Sequence, residues 1–306
     1  MYQTRSMNDN GKIIGIICII VASVCYGLVP SLSFISFDLG VETETLLFDK
    51  FLYATIMLWG YIILRKINYR LSPKAATTML IASIGYVSTS TFLYLAFDYV
   101  SGSLATIVSF TYPALIVSVE MLFHIEPIRK MKILAVLLSF SGLVLIVWSP
   151  DMHVNILGIF FAFCSAFAYA TYVFSLSLES IKKESNFVVA GYVTLVAAIV
   201  NFIRCLISEK PLFATEPNQI GMMLLLSVVC VFFVIVIYSV GVRHIGPGNA
   251  ALINTLEPVL ACVFGHYLIG DVLTPIMMVG SALVVSAVIL TNLPTRSENN
   301  LNLKKD

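Results

Sequence analysis

Charge is scarce in this chain. Asp, Glu, Lys and Arg make up 11% of its 306 residues, whereas a soluble domain carries about 25%. Such a sequence cannot cover a water-facing surface, which excludes a soluble globular fold. The net charge of +1 points to no charged partner, and no nucleic-acid partner is expected. No G-x-x-x-x-G-K-[ST] run is present, so the chain is not expected to spend ATP, and no cofactor is expected. The six cysteines (Cys18, Cys25, Cys164, Cys205, Cys230 and Cys262) lie in or beside apolar runs and form no CxxC or metal-ligand spacing. They read as small packing residues. His124, His153, His244 and His266 fall near segment ends, and none has a second ligand three or four residues away, so no metal site is expected. An enzyme is not expected either. A cleavable signal is missing too, because the apolar run 13–29 has no small-residue cleavage site and reads as a first span.

What is there is hydrophobicity, 59% of all residues. About 20 apolar residues cross roughly 30 Å of hydrocarbon. Ten such runs are legible: 12–36, 45–64, 75–97, 103–123, 131–149, 155–178, 187–207, 219–242, 248–268 and 275–293. They are apolar on every side, and a lipid-exposed strand would leave its backbone groups unpaired, so they read as helices. The expected fold is an all-α integral membrane protein with very short links; the longest, 208–218, cannot hold a domain. Residues 1–11 and 294–306 are expected as polar termini, the latter disordered.

Lys and Arg are scarce on one side of this arrangement. Fifteen of the 18 lie in the termini and the even-numbered links, and the other links hold only Lys50, Arg204 and Lys210. The positive-inside rule then places both termini in the cytoplasm of a multi-pass protein of the cell membrane.

The stretch 248–271, GNAALINTLEPVLACVFGHYLIGD, carries Asn254, Glu257 and Pro258 near its middle. A carboxylate at that depth costs roughly 2.5 kcal/mol or more. Pro258 cannot donate to the carbonyl of Asn254, which frees a polar backbone group inside the membrane. Shifting by 145 positions aligns this stretch with 103–126, setting Ala105 on Ala250, Pro113 on Pro258 and Glu126 on Asp271. Gly15 and Tyr26 match Gly158 and Tyr169 in the same manner. Five crossings separate the two copies, so they face opposite ways. Two inverted five-helix repeats, 12–149 and 155–293, are expected around a central cavity, with the substrate site near the midplane at their interface.

These residues resemble the drug/metabolite transporter superfamily, in its ten-helix EamA-like branch. The likeness rests on Ala105, Pro113 and Glu126 with Ala250, Pro258 and Asp271. It rests also on YLAFDYV (94–100) with YSVGVRHIG (238–246), and on Lys50–Phe51 early in the second span. The chain departs from the family pattern at Asp271, usually Glu, and at Tyr112, where an acidic or polar residue is common. The resemblance implies ten helices around a cavity and export of small metabolites such as amino acids; proton-coupled efflux of drugs is the alternative. A small-molecule substrate and the lipid bilayer are the expected partners. The oligomeric state is open.

Glu257 and Tyr112 occupy equivalent positions, about 14 Å into their spans at 1.5 Å per residue. Glu257 either binds an amine or a proton, or only shapes the kink. Asn254 and its counterpart Ser109 either meet a polar substrate group or join helices. Lys50 either meets a substrate carboxylate or snorkels to the interface. Tyr26, Tyr86, Tyr94, Tyr169 and Tyr238 are candidates to present hydroxyls to the cavity. Pro113 and Pro258 are expected to act as hinges, and Glu120 is expected to find an internal polar partner.

Overall fold

The computed structural model describes residues 9–100, 102–122, 130–148 and 155–292, without the side chains of Asp9, Tyr94, Gly102, Ser103, Thr291 and Asn292. Glu126, His124, His153 and both termini therefore lie outside the described residues.

Every expected span is helical. The first repeat comprises α1 (Asp9–Asp38), α2 (Thr43–Leu64), α3 (Pro73–Phe97), α4 (Gly102–Ser109) with α5 (Tyr112–Leu122), and α6 (Lys130–Val147). The second comprises α7 (Ile156–Leu176), the short link helix α8 (Glu179–Lys182), α9 (Asn186–Ile207), α10 (Pro217–Ser227) running through a π-helical turn into α11 (Val234–Ile245), α12 (Pro247–Asn254) with α13 (Leu256–Ile269), and α14 (Pro275–Asn292). Among the described residues, nine of these spans are long and apolar enough to cross a membrane, and the apolar helix 275–290 supplies a shorter tenth. Side chains such as Ile56, Leu137, Phe167 and Ile289 are more than half exposed on the outside, where a soluble protein would place charge. Their neighbour is lipid.

Packing between the halves follows a pseudo-two-fold exchange. α3 lies along α7 and α1 along α11, so the first span of each repeat packs on the third span of the other. α2 pairs with its equivalent α9, and α6 with its equivalent α14. The α6–α14 crossing is the closest of these. A Cβ on Gly142 would stand 2.5 Å from the Gly280 carbonyl, and a Cβ on Gly280 would stand 2.5 Å from the Gly142 carbonyl. Membrane helices without a hydrophobic drive between them gain by such backbone contact.

Helix ends repeat the same symmetry. α2 closes with Lys66 at φ 52 and an Ile67 N–H to Ile62 carbonyl bond; α9 closes with Glu209 at φ 51 and a Lys210 N–H to Cys205 carbonyl bond. The two caps are 143 residues apart, the offset that relates Gly15 to Gly158. One backbone solution is used twice, on opposite faces, with opposite charge.

The fourth and ninth spans are each broken. α4 ends at Ser109 and α12 at Asn254, the residues whose carbonyls Pro113 and Pro258 leave without an N–H partner. Each proline then sits in the first turn of the next piece, where its missing N–H costs nothing. A threonine fills each break: Thr111 Oγ1 donates to the Val108 carbonyl and Thr255 Oγ1 to the Leu252 carbonyl. The eighth span holds a feature that apolar periodicity does not signal, the π turn Val228–Phe233. It packs against α1 and α2, and Cys230 Sγ lies 3.4 Å from the Cys25 carbonyl.

Candidate functional site

The breaks bring polar groups to mid-span. Asn254, fully buried at the end of α12, donates from Nδ2 to Tyr112 Oη at 3.1 Å and to Glu257 Oε2 at 3.0 Å. Its Oδ1 accepts from Ser23 Oγ of α1 at 3.1 Å. One amide thereby joins the first, fourth and ninth spans. It does so because the helix stops there: an Asn inside a continuous helix would point along one face only.

Tyrosines surround the carboxylate of Glu257. The hydroxyls of Tyr26, Tyr86, Tyr112, Tyr169 and Tyr238 all lie within its electrostatic reach. They come from five different spans, so the partial exposure that Glu257 retains opens into the middle of the molecule and not toward lipid. The rings form a connected wall. Tyr112 meets Tyr169 edge-on at 4.6 Å, Tyr169 leads to Tyr172 at 5.8 Å, and Tyr172 stacks on Tyr238 at 6.5 Å. Tyr26 closes on Tyr238 at 6.1 Å. Tyr172 escaped the sequence reading, and its hydroxyl is buried with no hydrogen-bond partner among the described residues. Tyr26 faces Tyr86 and Tyr238 faces Tyr169 closely enough to interact, yet the Tyr26 and Tyr238 hydroxyls reach no partner with hydrogen-bond geometry. A buried hydroxyl without a partner costs about 1–3 kcal/mol. Three such hydroxyls, of Tyr26, Tyr172 and Tyr238, lie together on this wall.

Lys50 reaches the same wall from its other end. It is the eighth residue of α2, roughly 10 Å into the span, and is half-buried with its ammonium 5.3 Å from the Phe51 ring centre. Phe51 meets Tyr86 edge-on at 6.0 Å, and Tyr86 meets Tyr172 at 4.9 Å. The adjacent Asp49 turns elsewhere: its Oδ2 accepts the Ala214 N–H at 2.9 Å and clasps the link after α9. A cation–π contact stabilises Lys50 by only about 0.5–2 kcal/mol, less than the roughly 2.5–3.5 kcal/mol that a central lysine costs.

The remaining sequence candidates divide. Ser109 does not join the Glu257 group; its hydroxyl pairs with Ser165 of α7 at 3.1 Å, and Ser165 continues to the Thr89 carbonyl of α3. Asn254 is long enough to reach across a break, whereas a serine bonds its nearest helix. The side chain of Tyr94 lies outside the described residues. Pro113 and Pro258 are buried at the starts of α5 and α13 and offer no polar atom to a ligand. Glu120 has its internal partners, Lys132 and the Gly248 N–H.

Comparison with known proteins bears on the family and the fold. The model of the EamA-like transporter family matches residues 13–148 and again 156–293. No curated protein matches the chain by sequence. A solved structure titled "Crystal structure of protein" is similar in fold with a TM-score of 0.80 at 15% identity, over 93% of this chain and 97% of that one.

Proposed function

We propose, from the premise that the chain belongs to the EamA-like transporter family, that it exports small zwitterionic or polar metabolites such as amino acids across the cytoplasmic membrane. Membership makes it a multi-pass membrane transporter of the drug/metabolite type, and members of the family are transporters and not enzymes. The observation that carries the finer reading is the pair of opposite charges at the two ends of one tyrosine wall. Glu257, held by one amide hydrogen bond, suits an ammonium group; Lys50, held by a ring, suits a carboxylate. Tyrosine faces between them accept the body of the ligand and attract its cation.

Alternating access follows from the inverted repeats: exchanging the conformations of the two halves moves the opening from one face to the other. The density of Lys and Arg on the face where α1 begins supports that face as the cytoplasmic one. A proton can share Glu257 with the ligand, since both bind the same oxygens, and that competition is the simplest route to antiport.

The test is flux in proteoliposomes with radiolabelled amino acids, nucleosides and organic amines. Saturable, counterflow-sensitive movement of an amino acid, inhibited by neither the decarboxylated amine nor the N-acetyl acid alone, is the expected result. Competition by amines and lipophilic cations with no amino-acid flux would replace this reading with proton-coupled drug efflux.

A further inference from the structure

We propose that Glu120 is the gate residue of the face on which α1 begins, latching the two repeats together there and releasing them each time the site opens to that face. The inference rests on the alternating-access reading above.

Glu120 is 1% exposed on α5 and uses both carboxylate oxygens. Oε1 accepts the N–H of Gly248, in the first turn of α12, at 2.8 Å. Oε2 pairs with Lys132 Nζ of α6 at 2.7 Å, and Lys132 is itself buried. The start of a helix offers free N–H groups and positive potential, so an anion is well placed there. The fit is close. A Cβ on Gly248 would overlap the Glu120 carboxylate and stand 2.8 Å from Lys132 Nζ. Only glycine lets the carboxylate seat itself on this helix end.

The latch has a second rung. α5 and α12 run antiparallel and belong to opposite repeats, and their other ends meet where Tyr112 accepts from Asn254. The nine residues from Tyr112 to Glu120 face the seven from Asn254 to Gly248, so two short helices are tied at both ends. The inner rung is made by the same amide that holds Glu257. A ligand ammonium that takes the Glu257 oxygens displaces that amide, loosens the inner rung and leaves the outer one as the remaining tie.

Chemistry at the outer rung suits opening and closing. A dry ion pair on a helix terminus holds strongly, because the surroundings screen it little. Lys132 stays with Glu120 on the first repeat; once water enters, the carboxylate and the freed Gly248 N–H are both solvated, and parting them costs far less. The equivalent positions on the opposite face do not repeat this chemistry: under the 145-residue shift Glu120, Lys132 and Gly248 correspond to Gly265, Met277 and Ser103. The carboxylate nearest Gly265 belongs to Asp271, six residues on in the same segment, and does not bridge the repeats. The pseudo-symmetry of the backbone is thus broken in its polar chemistry, on one face only.

Two measurements on the full chain in lipid nanodiscs and proteoliposomes test this. The first is deuterium uptake by peptides covering 112–122 and 247–254. Glu120→Gln combined with Lys132→Met removes both charges of the pair. Uptake in both segments is expected to quicken at least ten-fold, with α2 and α9 unchanged. Unaltered uptake there, or uniform quickening along the whole chain, would overturn the latch. The second uses Glu120→Cys with Gly248→Cys, a pair that relieves the clash a single Gly248 substitution creates. Flux of a radiolabelled mixture of the twenty amino acids is expected to fall at least ten-fold on oxidation and to recover on reduction. Undiminished flux in the cross-linked protein would reject a gate and leave a static contact. Absence of flux in the wild type would instead count against the amino-acid reading, and the exchange result would still decide the latch.

Discussion

Glu257 and Lys50 are the residues on which the transport reading turns, and each stands where its charge is expensive. Glu257→Gln keeps the side-chain shape and can still bond Asn254, but it holds no proton and no net charge. Transport driven by an imposed pH gradient is expected to disappear in this variant, with slow exchange of substrate for substrate persisting if binding survives; flux with and without the gradient measures it. A wild-type gradient response would make Glu257 a structural residue at the kink. Lys50→Met keeps the stem against Phe51 and removes the ammonium. Losing a charge-assisted bond costs about 1.5–3 kcal/mol, so affinity for a carboxylate-bearing substrate is expected to fall about ten- to hundred-fold, with decarboxylated amines unaffected. Competition binding in detergent or nanodiscs reads this directly. Both residues were legible in the sequence because a charge within an apolar run is an anomaly that composition reveals. Tyr172 was not, because a tyrosine among 14 looks like any other until its neighbours are known. Nor was the seat of Glu120, which lies 128 positions away at Gly248.

At the level of elements, the breaks before Pro113 and Pro258 are where the proposed hinges lie, and each break is prepared by more than the proline. Thr111 and Thr255 turn their hydroxyls onto carbonyls at the break, so the pieces are stable without being continuous. Pro113→Ala or Pro258→Ala restores the missing N–H and lets the helix heal. Either substitution is expected to slow transport several-fold while leaving insertion and yield largely intact, measured as initial rates against protein amount. Unchanged rates in both single variants would remove the hinge role. The α6–α14 crossing differs: it is an unbroken, close backbone contact. Gly142→Leu drives a side chain into the Gly280 backbone, and overpacking of this kind costs about 1–3 kcal/mol. A lowered melting midpoint in a thermal assay is the expected result, smaller for Gly142→Ala. Span positions were readable because twenty apolar residues have few alternatives. The π turn Val228–Phe233 was not, since one extra residue in a 29-residue apolar span changes neither composition nor length noticeably.

For the whole molecule, the proposed alternating access rests on the inverted repeat, and the proposed orientation rests on charge. The caps that close α2 and α9 make the point at residue resolution. They share an unusual backbone, φ near +50° at a side chain other than glycine, which costs about 1–2 kcal/mol. Sharing it marks the two helices as copies of one ancestral fold element. Lys66 stands in one cap and Glu209 in the other, which is what the positive-inside rule requires of copies inserted in opposite senses. Arg65, Lys66, Arg70 and Lys74 crowd the second link, while the region after Glu209 has only Lys210, paired with Glu42 at 3.2 Å. A reporter fused after Asp306 is therefore expected to be active in the cytoplasm, and one inserted beside Asp151, in the link between repeats, to be active outside. Exchanging the signs is the sharper experiment. Replacing Arg65, Lys66, Arg70 and Lys74 with neutral residues while adding lysines around Glu209 should populate the reversed orientation, seen as reporter activity on both sides. An external C-terminus in the unmodified chain would sink the even number of spans, and with it the opposed facing of the two repeats.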